Sequence, residues 1–168
     1  MIDYLLQLER PSNNFSIIEV GPLWANHRVL DVQEFLYIAL DLNPPPAGQD
    51  RPMRWLISRA EAVPLKDNCA WVVISSHCLE HVEDDRTALH EFRRILRPDG
   101  HLLLDVPFEF IPHTYNMDEP DRTGHRRVYG TDFPYRVTNE GFKVETKIYY
   151  NLPNPTQEET FFHCRPIA

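Results

Sequence analysis

Residues 70–82 read AWVVISSHCLEHV. Ala70-Trp71-Val72-Val73-Ile74 is a continuous apolar run with three β-branched members. It is too short for an ordinary helix and reads as a strand buried on both faces. From Asp85 to Leu96 the period changes: Leu89, Phe92, Ile95 and Leu96 fall on one helical face, and Asp84 is placed to cap the first turn. Pro98-Asp99-Gly100 is expected to stop this helix, and His101-Leu102-Leu103-Leu104-Asp105-Val106 reads as a further strand. A strand, a helix and a second apolar strand in that order predict a parallel crossover unit. The same stretch holds His77-Cys78-Leu79-Glu80-His81, a formal match to H-x-x-E-H. On a helix its two histidines would share one face and could bind zinc, with the glutamate between them as general base.

Working outward, Phe15–Val20 is an apolar run ending at Gly21, Phe35–Leu40 is another ending at Asp41, and Arg54–Ile57 is a weaker third. Ile2–Glu9 reads as a short helix stopped by Pro11, and Trp24–Val32 holds about two helical turns. Beyond the central unit, a proline- and histidine-bearing loop runs from Pro107 to about Tyr129. Thr131 is expected to cap a short helix that ends at Gly141. Phe142–Tyr150 and Glu159–Arg165 are β-like and joined around Pro153-Asn154-Pro155. The pattern predicts an α/β fold: a mostly parallel sheet with helices on both faces and an antiparallel C-terminal hairpin. One domain is expected over residues 1–168, with residues 1–14 as an N-terminal segment.

The chain has 168 residues, is 42% hydrophobic and 25% charged, and carries a formal net charge of -8. That balance argues against a general affinity for nucleic acid, whose phosphates attract a basic surface. Its longest apolar runs are too short to span a bilayer, and no basic amphipathic helix suggests a membrane surface. The N-terminus lacks the positive region and cleavage site of a signal peptide. Three cysteines without a C-x-x-C pair fit a reducing compartment, so a cytoplasmic location is expected.

Several of these pieces, in order, carry a resemblance. They are Ala60-Glu61-Ala62-Val63-Pro64-Leu65, Trp71 to Ser76, Leu79-Glu80-His81-Val82, Ala88 to Gly100, and Leu102 to Pro107. Arg127 to Phe133 and Asn139 to Glu145 continue the series. Together they resemble the class I S-adenosylmethionine (SAM)-dependent methyltransferases, in particular the small-molecule branch called type 11, over nearly all of residues 15–165. The resemblance implies a Rossmann-like methyltransferase sheet and SAM as cofactor. It also implies transfer of the sulfonium methyl to an O, N or C nucleophile of a small molecule. In such a fold, ligands lie at the carboxyl edge of the sheet.

It further implies a set of cofactor-binding residues: Glu19 and Gly21 at the first turn, Asp41 and Leu42 after the second strand, Ala60 and Glu61 after the third, and Ser75 and Ser76 at the end of the fourth. Asp41 stands where an acid accepts hydrogen bonds from ribose hydroxyls. The first turn departs from the family pattern. Glu19-Val20-Gly21-Pro22-Leu23-Trp24-Ala25 keeps only one glycine, Leu23 and Ala25 occupy glycine positions, and Pro22 removes a backbone donor. Arg59 stands where an acid often contacts adenine, and Ala70 replaces an acid that commonly precedes the fourth strand.

His77, His81 and His125 are candidate bases, because histidine titrates near neutrality. His113 and Tyr115 lie in the same long loop as His125. The family's Leu-Glu-His-Val stretch is not a zinc helix and no third ligand is evident, so no metal site is expected. The alternatives to a methyltransferase are a noncatalytic binding or assembly module with a degenerate cofactor site and, third, a zinc hydrolase. A protein partner or second copy of the chain is expected to cover the short N-terminal side.

Overall fold

A computed structural model describes residues 1–9, 16–22, 30, 35–43, 54–150 and 158–167. The described elements are α1 (Ile2–Leu5), β1 (Ser16–Val20), β2 (Leu36–Asp41), β3 (Trp55–Ile57), β4 (Ala70–Ser76), α2 (Asp85–Ile95), β5 (Leu96–Asp105), β6 (Tyr115–Asn116), β7 (Arg127–Val128), α3 (Phe133–Asn139), β8 (Phe142–Tyr150) and β9 (Glu158–Pro166). Seven strands form one sheet in the order β3-β2-β1-β4-β5-β9-β8. The first five pair in parallel, whereas β9 runs antiparallel between β5 and β8.

Register places the site. Val20 lies opposite Leu40 on one side and Ser75 on the other, and Ser76 lies opposite Asp105. The carboxyl ends of β1, β2, β4 and β5 therefore finish at one level. Strand order reverses at β1, from which the chain proceeds outward through β2 and β3 and then returns to β4. Such a switch point opens a crevice between diverging connections.

The all-buried β4 follows from its sequence, since both faces of the sheet are covered. Along the strands the side chains alternate. Ile18, Val20, Val73, Leu102 and Leu104 join a core with Leu89, Phe92 and Ile95 of α2 and Phe133 and Val137 of α3. Ile17, Tyr37, Trp71, Ile74 and Leu103 face the other way, onto Leu5 of α1 and Leu30. Each fully buried side chain of this size contributes about 1.5–3 kcal/mol.

The α2 cap forms as its sequence predicts: Asp84 Oδ1 accepts from the amides of Arg86 (3.0 Å) and Thr87 (3.2 Å). These donors, with the Thr87 hydroxyl foremost, hold the Asp84 carboxyl below its usual range. Three boundaries differ from expectation. The first helix ends at Leu5 rather than running to residue 9. Pro98-Asp99-Gly100 does not separate helix from strand, because β5 begins at Leu96 directly after α2. Nor does Thr131 cap α3. The cap position is Asp132, and its carboxylate is engaged elsewhere, accepting from the Thr114 amide at 2.8 Å and hydroxyl at 2.7 Å. The expected helix over 24–32 and the turn at 153–155 lie outside the described residues, apart from residue 30.

Candidate functional site

At the switch point lies a cavity of about 440 Å³, walled on one side by Gly21, Asp41, Leu42, Arg59, Ala60 and Glu61, and on the other by His77, Cys78, His81, Glu83 and Arg126. Size and position are those of a small-molecule site in an open α/β sheet.

The first wall is built on strand ends. Asp41 closes β2, and its Oδ1 accepts from the Asn43 amide at 2.8 Å. Gly21 ends β1 with φ +66°, a left-handed conformation that favours glycine. A Cβ there would stand 2.9 Å from Cys78 Cβ, so only glycine lets the two turns approach so closely. Glu61 Oε1 accepts from the Glu83 amide at 2.9 Å, bridging the two walls. Arg59, nearly half exposed, pairs with Glu83 at 2.9 Å and Glu61 at 3.6 Å. The loop after β3 is anchored from below by Arg94 of α2. Its guanidinium donates to the carbonyls of Val63 and Leu65 at 2.8 Å each and to the carboxylates of Glu91 and Asp67 at 2.7 Å. The paired guanidinium holds the Glu91 carboxyl below its usual range.

The second wall is the segment 77–83, which consists of turns rather than the helix that the H-x-x-E-H reading requires. His77 has φ +49°, a left-handed conformation uncommon for residues other than glycine. Its Nδ1 lies 3.5 Å from Glu80 Oε1 and its Nε2 3.6 Å from Asp105 Oδ2. Buried Arg127 holds the segment in shape: it donates to the Leu79 carbonyl, and to those of Val82 and Glu83 at 2.7 and 3.0 Å. Beneath it, buried Asp85 receives both arms of Arg136, at 2.6 and 2.7 Å, and the Tyr129 hydroxyl at 3.0 Å. Burial pushes the Tyr129 phenol and the Cys78 thiol up, the latter to about 12, so neither ionises near neutrality.

Of the residues singled out from sequence, Gly21, Asp41, Leu42, Ala60, Glu61, His77 and His81 are brought to the cavity. Glu19, Ser75 and Ser76 are buried beneath its floor and do not line it. The Tyr37 hydroxyl donates to Glu19 at 2.5 Å, and Ser76 donates to Asp105 at 3.1 Å. His125 lies behind His81, with ring centroids 4.8 Å apart, rather than on the cavity surface. His113 and Tyr115 are exposed and away from it. Leu23 and Ala25 lie outside the described residues.

Arg126, like Asn43, Ser58 and Glu83, lines the cavity without having been singled out from the sequence. It reaches the cavity because β6 and β7 pair, Tyr115 opposite Val128, and fold the long loop back. Its amide then donates to the Glu80 carbonyl at 2.8 Å. Two residues per strand leave no periodicity from which the pairing could be read.

Residues 25–104 match the family described as "Methyltransferase domain". The sheet order and the switch-point cavity agree with that match. The chain carries a class I methyltransferase fold. Solved structures share it at low identity. The Haloferax volcanii complex of the Trm112 methyltransferase activator with a proposed methyltransferase contains a chain that is 15% identical. The match covers 98% of this chain and 88% of that one, with a TM-score of 0.70. The Burkholderia thailandensis 1,6-didemethyltoxoflavin-N1-methyltransferase, bound to 1,6-didemethyltoxoflavin and S-adenosylhomocysteine, is 14% identical over 93% of this chain and 72% of that one, TM-score 0.66. A proposed SAM-dependent methyltransferase from Listeria monocytogenes is 11% identical over 99% and 97%, TM-score 0.68. No curated protein matches in sequence. In this methyltransferase fold the hairpin β8–β9 completes the sheet on the side away from β3.

Proposed function

We propose that the chain is a SAM-dependent methyltransferase acting on a small molecule. The observation that carries the reading is the switch-point cavity with Asp41 at the end of β2 and Gly21 at the end of β1. The residues present fit the cofactor. Asp41 would accept from the ribose hydroxyls, Gly21 would let the backbone approach the methionine portion, and Ala60 with Glu61 would flank the adenine. When bound, the cofactor supplies an electrophilic methyl group. The chain supplies orientation, and His77 would receive the acceptor's proton, its ring set between the Glu80 and Asp105 carboxylates. The ligands bound to the Burkholderia neighbour support both the cofactor and the small-molecule class.

A protein partner is part of this reading. The Haloferax neighbour occurs with an activator. Here β3 is the outermost described strand on its side of the sheet, and Ile57 at its end stands exposed. A noncatalytic module is the second reading, favoured by Arg59, which enters the adenine side bound to two acids.

Calorimetric titration with SAM and with S-adenosylhomocysteine separates the two readings. Micromolar binding of both is expected, weakened about tenfold or more in Asp41→Ala through loss of a charged acceptor. Absence of binding at millimolar cofactor would favour the noncatalytic module. Binding unchanged in Asp41→Ala would remove the ribose assignment.

A further inference from the structure

We propose that Glu80, His81 and His125 bind a divalent first-row transition metal ion in the wall of the cavity. Each of the three offers one ligand atom, and these atoms lie within 4.8 Å of one another. Donors about 2 Å from a shared ion stand about 3–4 Å apart, so small side-chain adjustments close the set.

Glu80 points most directly to a missing partner. Its side chain is fully buried, and neither carboxylate oxygen has a hydrogen-bond donor among the described residues. Its near neighbours are imidazole nitrogens at 3.5 Å (His77 Nδ1) and 4.0 Å (His81 Nε2), neither of which makes a hydrogen bond to it, and the second is spaced to share a cation with it. A buried carboxylate is ordinarily paired, hydrogen-bonded or bound to a metal.

The histidines are already oriented. His81 Nδ1 lies 3.1 Å from the Gly124 carbonyl. That contact places the ring proton on Nδ1 and leaves the Nε2 lone pair on the side nearer Glu80. Metal-bound histidines commonly use a backbone carbonyl in this way. Gly124 has φ +86°, a left-handed conformation that favours glycine in the turn carrying this carbonyl. A tight turn presents His125: Asp121 Oδ1 accepts from the Thr123 amide (2.8 Å), the Thr123 hydroxyl (2.6 Å) and the His125 amide (3.0 Å). Asp121 Oδ2 lies 3.9 Å from His125 Nδ1, beyond hydrogen-bond reach, so that ring is presented by the turn itself.

Two imidazoles and one carboxylate suit zinc, manganese, iron or cobalt rather than calcium or magnesium. Three protein ligands leave coordination positions open. His81 lines the cavity, so those positions adjoin the space an acceptor would enter. On the methyltransferase reading, on which this last consequence rests, they favour an acceptor that presents oxygen. The ligand set differs from the helical H-x-x-E-H arrangement, because Glu80 is a ligand and not a base.

The test is titration of the chelator-treated full chain with Co²⁺, followed by visible absorption and by competition with Zn²⁺. One ion per chain is expected, with ligand-field bands that reveal nitrogen donors. Affinity should fall about a hundredfold or more in His125→Ala and in Glu80→Gln, with circular dichroism unchanged in at least the His125 variant. No saturable binding, or binding unchanged in both variants, overturns the proposal. SAM titration of the same samples reads the methyltransferase proposal separately, so either can fail alone.

Discussion

The two walls of the cavity are built differently. The wall made by β1, β2 and β3 rests on strand ends and short turns. Its Arg59, nearly half exposed, pairs with Glu61 of the same wall and reaches across to exposed Glu83 of the other. The opposite wall, residues 77–83, has no regular structure of its own and is held by buried charge. Arg127 spans three of its carbonyls, and Asp85, Tyr129 and Arg136 support it from beneath. A sheet edge is fixed by its ladders, whereas a turn must be fixed by side chains. The side-chain hydrogen bonds therefore concentrate where the backbone offers least.

Substitution can break this contrast. Arg127→Met should cost the most, about 3–5 kcal/mol, because it leaves the carbonyls of Leu79, Val82 and Glu83 without their shared donor. Arg59→Met, the matching change on the other wall, should stay within about 0.5 kcal/mol, as exposed ion pairs contribute little. Urea denaturation of both variants checks the pair, and equal losses would contradict the contrast. Arg94→Ala should cost about 2 kcal/mol, since it frees the loop carrying Ala60 and Glu61 from α2. If SAM binds, its affinity should also fall several-fold in that variant. Asp84→Ala removes a helix cap at the start of α2 and should cost about 1 kcal/mol by thermal denaturation.

The smallest effect belongs to a region away from both walls. His101 Nδ1 and His163 Nε2 lie 2.8 Å apart, and the Tyr4 hydroxyl lies 2.8 Å from His163 Nδ1. Burial lowers both histidines' pKa values, that of His163 from 6.5 to about 4. Above about pH 6.5 both are neutral folded or unfolded. As pH falls from there toward about 4, the unfolded chain takes up protons that the folded chain does not, and stability declines. His163→Gln should flatten that decline. Urea midpoints at pH 7 and pH 5 measure it.

Much of the sheet was legible because its strands are short apolar runs that end at Gly21, Asp41 and Asp105. The hairpin and α2, with its Asp84 cap, were legible for the same kind of reason: each has one strong local period. The cavity was half legible. Asp41, Gly21 and Glu61 could be placed because a strand end implies the edge. Glu19, Ser75 and Ser76 were assigned to the cofactor although they lie a residue or two inside the sheet, where alternate side chains turn into the core. Arg126 could not be found, and neither could the meeting of His81 with His125. Both depend on a loop of some twenty residues folding back through a two-residue pairing, and such a contact leaves no pattern in the chain.

The position of β9 bears on how the protein is made. It is the last described strand in sequence, yet it occupies an interior place, between β5 and β8. On a ribosome, β5 would emerge more than fifty residues before its neighbour on that side, at rates of roughly 5–20 residues per second. For those seconds its open edge is a template for any other nascent strand. A stalled or truncated chain lacking residues 158–166 would keep that edge exposed and become a substrate for chaperones or for self-association.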